Sequence, residues 1–215
     1  MVARHVLVIG LTGGIASGKS TAAAALEAAG APVVRADALA REVVSPGSAA
    51  LAEIGRVFGA GVLRKDGSLD RPALAAMVFG DPPARRRLEG ITHPLIRERT
   101  LQWLAAQADA GAPAAVCDIP LLFEVGLHQA GTFIDRIWVV SVGPETQLRR
   151  LMVRDRLDRE AALARLRAQW PLADKSHLAD LVLENEGPPD ALDRAARRAW
   201  ADALAGLGGQ PSREA

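Results

Sequence analysis

The sequence predicts an α/β fold, a doubly wound parallel sheet that carries a helical insertion and a helical lid. Three observations support this prediction. Short apolar runs of the kind found in buried parallel strands recur along the chain. A glycine-rich loop joins the first run to a helix, and a long stretch of helical periodicity separates the second run from the third. Strands that alternate with helices are typical of layered α/β proteins.

The amino-terminal part of the chain has the pattern of a βαβ unit. A strand is predicted over 5–11, a helix over 19–29 and a second strand over 31–36, which ends at Asp37. The crossover of such a unit is right-handed and its strands are parallel. Further strands are predicted over 114–118, 136–142 and 181–183. Because ligands of such sheets bind beyond the carboxyl ends of the strands, the residues that follow each strand are the functional candidates.

Charge and cysteine content argue against several classes of protein. The chain has 26 Lys and Arg against 25 Asp and Glu, a net charge of +1, which does not favour nucleic acid as a partner. Its one cysteine, Cys117, cannot form an intramolecular disulfide, which indicates a reducing compartment. No run reaches the roughly 18 apolar residues of a membrane span. We therefore expect a cytoplasmic protein without a membrane partner.

The loop after the first strand matches the phosphate-binding pattern GxxxxGK[ST] over residues 13–20. Its glycines allow backbone N–H groups to turn inward around an anion, and the following helix directs the positive end of its dipole at the phosphates. Lys19 supplies a cation for the β- and γ-phosphates, and the Ser20 hydroxyl can bind Mg²⁺. The predicted ATP-binding residues of this P-loop are Gly14, Ala16, Ser17, Gly18, Lys19, Ser20 and Thr21.

A P-loop NTPase-type fold divides this chain into three predicted parts and a tail. The nucleotide-binding core is assigned to residues 1–37, 114–144 and 179–207, the helical insertion to 38–113, the lid to 145–178 and a disordered tail to 208–215.

Two carboxylates follow strands of the predicted sheet. Asp37 could orient an acceptor hydroxyl and take its proton, with a helix N-cap as the alternative role. Asp118 resembles the carboxylate that holds Mg²⁺ in P-loop proteins, with an ordinary strand-end turn as the alternative. Glu124 is a weaker candidate for the metal or the substrate.

Two arginines of the predicted lid are candidates for contact with phosphate. Arg150 and Arg154 lie four residues apart on one helix face, where they could neutralise charge that develops during phosphoryl transfer. The alternative is that this helix face is only exposed to solvent, with Glu145 and Asp155 as salt-bridge partners of the two arginines.

The motifs bear on three possible functions and disfavour the first. A GTPase switch is disfavoured because Asn185 is the only asparagine, so no guanine-reading Asn-Lys-x-Asp motif exists. A kinase for a small molecule such as a nucleoside or a sugar needs an acceptor site, a base and cations near the γ-phosphate, and the chain offers candidates for each. A nucleotide-dependent binding protein without an acceptor is the third possibility.

At these residues the chain resembles the dephospho-CoA kinase family, over nearly its whole length. The phosphate loop is shared with many kinases, whereas the other matching motifs are more specific. These motifs are His93-Pro94, Pro120-Leu121-Leu122-Phe123-Glu124 and the Gln-x-x-Arg-Leu-x-x-Arg pattern over residues 147–154, together with Gln169, Asp180 and Asn185.

The resemblance implies a reaction and a set of roles. Members of this family transfer the γ-phosphoryl group of ATP to the 3′-hydroxyl of the ribose of dephospho-CoA, the last step of coenzyme A synthesis, with ATP and Mg²⁺ as cofactors. The small molecule dephospho-CoA is therefore the implied partner of a monomer or weak homo-oligomer. The catalytic residues would be Asp37, Lys19 and Arg150. Arg154 and Asn185 would bind ATP, Ser20 and Asp118 the metal, and Thr12, Asp37, His93 and Leu121 the substrate.

Two local expectations accompany the resemblance. Ala16 stands where the family often has glycine, so we expect its backbone not to require a positive φ. His93 and Pro94 are expected to open a helix that runs to about residue 109, because proline is favoured in the first helical turn.

Overall fold

The computed structural model describes residues 6–208, and its centre is a five-stranded sheet in the order β2-β3-β1-β4-β5. The strands are β1 (Leu7–Gly13), β2 (Val33–Arg35), β3 (Ala114–Asp118), β4 (Arg136–Ser141) and β5 (Leu181–Glu184). The helices are α1 (Lys19–Ala28), α2 (Ala36–Glu42), α3 (Ala49–Phe58), α4 (Arg71–Val78), α5 (Pro82–Asp109), α6 (Pro144–Asp155), α7 (Arg159–Arg167), α8 (Leu172–His177) and α9 (Pro189–Gly208), with a 3₁₀ turn at Ala60–Val62.

The central strand β1 pairs in parallel with β3 on one side and β4 on the other, and β4 pairs in parallel with β5. Leu11 is the register partner of both Asp118 and Trp138. The chain leaves β1 toward β2 and leaves β3 toward β4, so the two connections run in opposite directions along the sheet. This arrangement confirms the predicted doubly wound α/β fold, and it places a ligand-binding crevice beyond the carboxyl ends of β1 and β3.

An apolar core holds α1 and α9 against the sheet. Ile9 and Leu11 of β1 are fully buried, as are Leu26 of α1 and Ala196 of α9. The small alanines of α1 allow the helix backbone to approach its neighbours closely, while Trp200 adds a large buried surface. This packing fixes the first turn of α1, which immediately follows the phosphate loop.

The described residues form two compact units, of which the first comprises 6–34 and 104–208 and the second Arg35–Trp103. The second unit is helical and has its own apolar core. Its amphipathic α3 is capped by the Ser48 side chain, which accepts a hydrogen bond from Leu51 N at 3.2 Å. Buried residues of this core include Leu51, Ile54, Phe58, Val62 and Leu74. The division into insertion and lid stays a prediction.

The prediction that Asp37 ends a strand is wrong. The strand β2 ends at Arg35, and Asp37 is the second residue of α2, in its first turn. A carboxylate is favoured there because unpaired N–H groups give a helix amino terminus a partial positive charge. Arg35 occupies the N-cap position, so Asp37 is not the cap either.

The prediction that His93 and Pro94 open a helix is also wrong. The helix α5 begins at Pro82, and Pro94 lies in its interior. An interior proline removes one helical hydrogen bond and costs about 3 kcal/mol. The cost is offset by packing, since Leu88, Ile91 and Leu95 of the same helix contact the core of the second unit.

The last helix runs one residue into the predicted tail. The helix α9 extends to Gly208, and the rest of the predicted disordered tail, residues 209–215, lies outside the described residues. Within 6–208, no helix is long and apolar enough to cross a membrane.

The buried Cys117 gives a prediction on thiol reactivity. Burial in β3 raises the pKa of its thiol from 9.0 to about 12, and the thiolate is the reactive form. We expect negligible modification by a disulfide reagent at pH 8 in the native protein and one thiol per chain after unfolding in urea. Because the folded pKa exceeds the unfolded one, this group's contribution to stability is lost as pH rises from about 9 to about 12. Rapid native modification would contradict the burial, and Cys117→Ala is the control that removes all signal.

Candidate active site

The loop between β1 and α1 has the backbone shape of an anion cradle. Ser17 N donates to Gly14 O at 3.1 Å, and Thr21 N donates to Gly18 O at 2.9 Å. Gly18, the N-cap of α1, has φ of +99°. A Cβ there would also collide with the amide of Asn185. Glycine is therefore required at this position both for its conformation and for close approach.

The expectation that Ala16 avoids a positive φ is wrong. Its φ is +60°, in the left-handed region that alanine enters only at a cost. The physical reason is the shape of the loop, in which both Ala16 and Gly18 have a positive φ. Backbone of this kind forms the anion-binding concavity of phosphate loops whichever residue stands there. Backbone strain of this kind persists where the surroundings hold the chain in place.

Replacing Ala16 with glycine is therefore expected to raise the free energy of unfolding. Relief of the left-handed strain outweighs the greater freedom of glycine in the unfolded chain, with a net gain of about 1 kcal/mol or less. Urea denaturation measures the change. The matched control is Ala24→Gly, an exposed alanine inside α1, where glycine should cost about 1 kcal/mol. Equal destabilisation of both variants would contradict a strained Ala16.

The cation and one carboxylate of the site are already paired. Lys19 Nζ donates to Asp118 Oδ1, and only 17% of the lysine side chain and 7% of the aspartate side chain are exposed. The pairing register explains the contact, because Asp118 ends β3 directly beside β1, which leads into the loop. Ser20 is exposed in the first turn of α1. The structure thus brings the predicted Lys19 and Asp118 together.

A cavity of about 350 Å³ opens beside the phosphate loop. Arg150 of α6 donates to Asn185 O at 3.1 Å, and the Asn185 side chain donates to Ser17 O at 2.7 Å. Arg150 and Asn185 are therefore tied to the loop and to each other. The cavity is lined by Ala16, Gly18, Thr21, Arg150, Asn185 and Gly187. All of these residues except Gly187 were predicted from the sequence as site residues. Gly187 belongs to no recognised motif and is marked only by its position two residues after Asn185.

Other predicted residues of the first unit have different surroundings. Arg154 is exposed and pairs with Asp155 at 2.7 Å, and this hydrogen bond is the main cause of the lowered pKa of Asp155. Thr12 is fully buried in β1, where its hydroxyl donates to Pro120 O at 3.2 Å. Leu121 is 44% exposed in the turn that follows β3.

Asp37 and His93 belong to the second unit, Arg35–Trp103. Both side chains are exposed, Asp37 in the first turn of α2 and His93 in the middle of α5. Their exposure leaves them accessible to a ligand, and their roles remain predictions.

Sequence reasoning missed one ion pair. Lys175 of α8 is fully buried and donates to Glu124 Oε1 at 2.7 Å, and its ammonium lies 6.0 Å from the centre of the Phe123 ring. Trp170 N donates to the same carboxylate oxygen at 3.0 Å. Glu124 is thus bound within the protein, and a lysine in a charged helical stretch gives no sequence signal of burial.

Two side chains that contact the phosphate loop were also missed by sequence reasoning. Gln147 Nε2 donates to Ile15 O at 2.8 Å, and Ile15 N donates to Gln169 Oε1 at 2.9 Å. Both glutamines lie in the stretches that carry the family resemblance, but their spacing alone assigns them no role.

Comparison with known proteins identifies the family. The family model for dephospho-CoA kinase matches residues 7–190. A dephospho-CoA kinase of Anaeromyxobacter dehalogenans is 56% identical over 201 residues, which cover 94% of this chain and 94% of that protein.

Solved structures agree with this assignment. A Thermus thermophilus protein of known crystal structure is 40% identical in sequence. It matches with a TM-score of 0.77 and coverage of 92% of this chain and 98% of that one. A dephospho-CoA kinase from Campylobacter jejuni is 28% identical, with a TM-score of 0.71 and coverage of 93% and 98%. Identity and coverage of this extent mean that the chain belongs to the dephospho-CoA kinase family.

Proposed function

We propose that the chain transfers the γ-phosphoryl group of ATP to the 3′-hydroxyl of the ribose of dephospho-CoA, giving coenzyme A and ADP in the last step of coenzyme A synthesis. The observation that carries this proposal is a complete phosphate loop beside a cavity lined by Arg150 and Asn185, in a member of this kinase family. The cavity volume lies within the range of small-molecule sites.

Transfer would rest on positioning and electrostatic stabilisation. The N–H groups of Ile15 and Ser17 are bound to Gln169 Oε1 and Gly14 O, so the other N–H groups of residues 14–18 hold the β-phosphate. Lys19 contacts the β- and γ-phosphates. Arg150 lines the same cavity from α6, where it stabilises the charge that develops on the transferred group. The hydrogen bond from Arg150 to Asn185 O keeps this cation at the cavity before ATP arrives. Arg154 adds a second cation near the transferred group once its salt bridge with Asp155 breaks.

We assign the role of base to Asp37. An exposed carboxylate at the start of α2 can accept the proton of a hydroxyl and orient that hydroxyl for in-line attack. His93, Leu121 and Thr12 are assigned to the dephospho-CoA side by the resemblance. Their exposure differs, and Thr12, whose hydroxyl is bound to Pro120 O, acts through the shape of β1 rather than by an open contact.

The residues at the loop fit a magnesium ion. Among the described residues, no group of three or more His, Cys, Asp or Glu side chains could form a metal cage. Mg²⁺ bound with a nucleotide needs no cage, because it keeps several waters and takes one or two protein ligands together with the phosphates. The Ser20 hydroxyl and the Asp118 carboxylate would hold it. When bound, the ion would neutralise charge on the β- and γ-phosphates.

Other attributes stay predictions. These are the cytoplasmic location, the monomeric or weakly self-associating state, and the absence of nucleic-acid and membrane partners. A sugar or nucleoside kinase and an acceptor-free binding protein were open on the motifs alone, and the family assignment now favours neither.

The test is ADP release from purified protein with ATP and Mg²⁺, with dephospho-CoA, adenosine, uridine and gluconate compared as acceptors. We expect only dephospho-CoA to stimulate release, with coenzyme A as product. Stimulation by another acceptor would keep the phosphate-loop chemistry and reject the substrate. Binding of ATP without stimulation by any acceptor would reject the kinase.

A further inference from the structure

We propose that Gln147 and Gln169 are positioning residues that clamp the backbone of Ile15 and so hold the phosphate loop in its nucleotide-binding shape. Gln147 comes from α6, and Gln169 lies between α7 and α8. One amide binds the carbonyl of Ile15 at 2.8 Å, and the other binds its N–H at 2.9 Å. Side chains from two separate parts of the chain thus hydrogen-bond to both backbone polar groups of one loop residue.

The chemistry of Ile15 fixes the orientation of each amide. A backbone carbonyl can only accept, so Gln147 must present its NH₂ group to it. A backbone N–H can only donate, so Gln169 must present its oxygen. The two glutamines therefore have opposite hydrogen-bonding roles, although their side chains are identical.

The fit around the clamp is close. Gln147 is 8% exposed, and its amide lies against the α-carbon of Gly14, where a Cβ would collide with it. The neighbouring Leu148 and Leu151 of α6 pack in one cluster with Ile15 and Ala16. A buried amide so placed would leave two unsatisfied polar groups if it moved away, which makes the bond costly to break.

The second glutamine is anchored from the other side. Trp170, the residue after Gln169, donates its N–H to Glu124 Oε1 at 3.0 Å, and the buried Lys175 donates to the same oxygen at 2.7 Å. Glu124 lies in the turns that follow β3, so the segment that carries Gln169 is bound to this connection as well as to the loop. The ion pair that sequence reasoning missed acts in this way on the clamp.

The clamp explains how the loop keeps a strained residue. Ala16, with its φ of +60°, directly follows Ile15. Strained backbone persists only where its surroundings over-determine it, and both polar groups of the preceding residue are fixed here. Loss of the clamp should let Ala16 relax out of the left-handed region and turn N–H groups away from the phosphates.

The test compares two variants of equal size and charge, Gln147→Glu and Gln169→Glu. Glutamate at 169 still accepts from Ile15 N, whereas glutamate at 147 cannot donate and sets an oxygen against Ile15 O. Any effect of the added negative charge on ATP falls on both. We expect the Kd for ATP, measured by calorimetry, to be at least 10-fold higher for Gln147→Glu than for Gln169→Glu.

A second readout separates positioning from general loss of stability. At saturating ATP, the KM for dephospho-CoA should change less than 2-fold in Gln147→Glu. Adding Ala16→Gly to this variant should recover part of the ATP affinity, because glycine adopts the left-handed conformation without support from neighbouring side chains. Equal ATP affinities of the two glutamate variants, or no recovery with Ala16→Gly, would overturn the proposal. If Gln147→Glu fails to fold, two uncharged variants replace it: Gln147→Met alone and Gln147→Met combined with Ala16→Gly. They test in the same way whether Ala16→Gly recovers ATP affinity. The kinetic readout rests on the proposed function, but the binding readout does not, so the two can fail separately.

Discussion

Replacing Lys19 with methionine is expected to lower kcat about 10²- to 10³-fold and to weaken ATP binding at the same time. Methionine keeps most of the aliphatic length of lysine and removes its charge. The lost ammonium is the loop's own cation for the β- and γ-phosphates, so both bound ATP and the transition state lose a partner. Coupled kinetics for ADP release and calorimetry with ATP measure the two effects.

The ion pair with Asp118 requires a control. Lys19→Met leaves a carboxylate that is 7% exposed without its partner, and this loss alone destabilises the fold. The double variant Lys19→Met with Asp118→Asn removes the unpaired charge and should regain stability but not activity. Because Asp118 is also assigned to the metal, the single variant Asp118→Asn is the reference, and a double variant as active as that single variant would mean that Lys19 acts through the fold and not on phosphate.

Replacing Asp37 with asparagine is expected to lower kcat about 10²-fold or more, while the Kd for ATP changes little. The substitution preserves shape and removes the proton acceptor, and loss of a general base costs about 10²- to 10⁴-fold. Because Asp37 is exposed in the first turn of a short helix, stability should fall by less than about 1 kcal/mol. Single-turnover kinetics with dephospho-CoA separate the chemical step from product release.

The matched control for this substitution is Glu89→Gln. Glu89 belongs to the same unit and forms an exposed pair with Arg85, so the variant removes one surface carboxylate without a proposed role. Its kcat should remain within 2-fold of the parent protein. A near-normal kcat for Asp37→Asn would remove this residue from the chemistry.

Periodicity and one motif predicted most of the core. The strands over 114–118 and 181–183 and the helix after the phosphate loop were placed to within a residue or two, because continuous apolar runs leave few alternatives for a buried parallel strand. The neighbourhood of Lys19 and Asp118 was also predictable, since parallel strands end at a common edge.

Errors occurred where local preference and tertiary context disagree. Proline favours a first turn, yet Pro94 lies inside a helix whose apolar side chains pack into a core. Alanine disfavours positive φ, yet Ala16 adopts it because its neighbours hold the loop. The glutamines at 147 and 169 and the buried Lys175 were not recognised, because single polar residues show a structural role only once their partners are known.

Transfer of the γ-phosphoryl group of ATP to the 3′-hydroxyl of dephospho-CoA can be measured directly. The direct measurement uses ATP labelled in the γ-phosphate, with dephospho-CoA and its 3′-deoxy and 2′-deoxy analogues as acceptors. We expect labelled product from dephospho-CoA and from the 2′-deoxy analogue, and complete release of that label by a 3′-nucleotidase. We expect no labelled product from the 3′-deoxy analogue. Label in the product of the 3′-deoxy analogue, or label resistant to the nucleotidase, would contradict transfer to the 3′-hydroxyl.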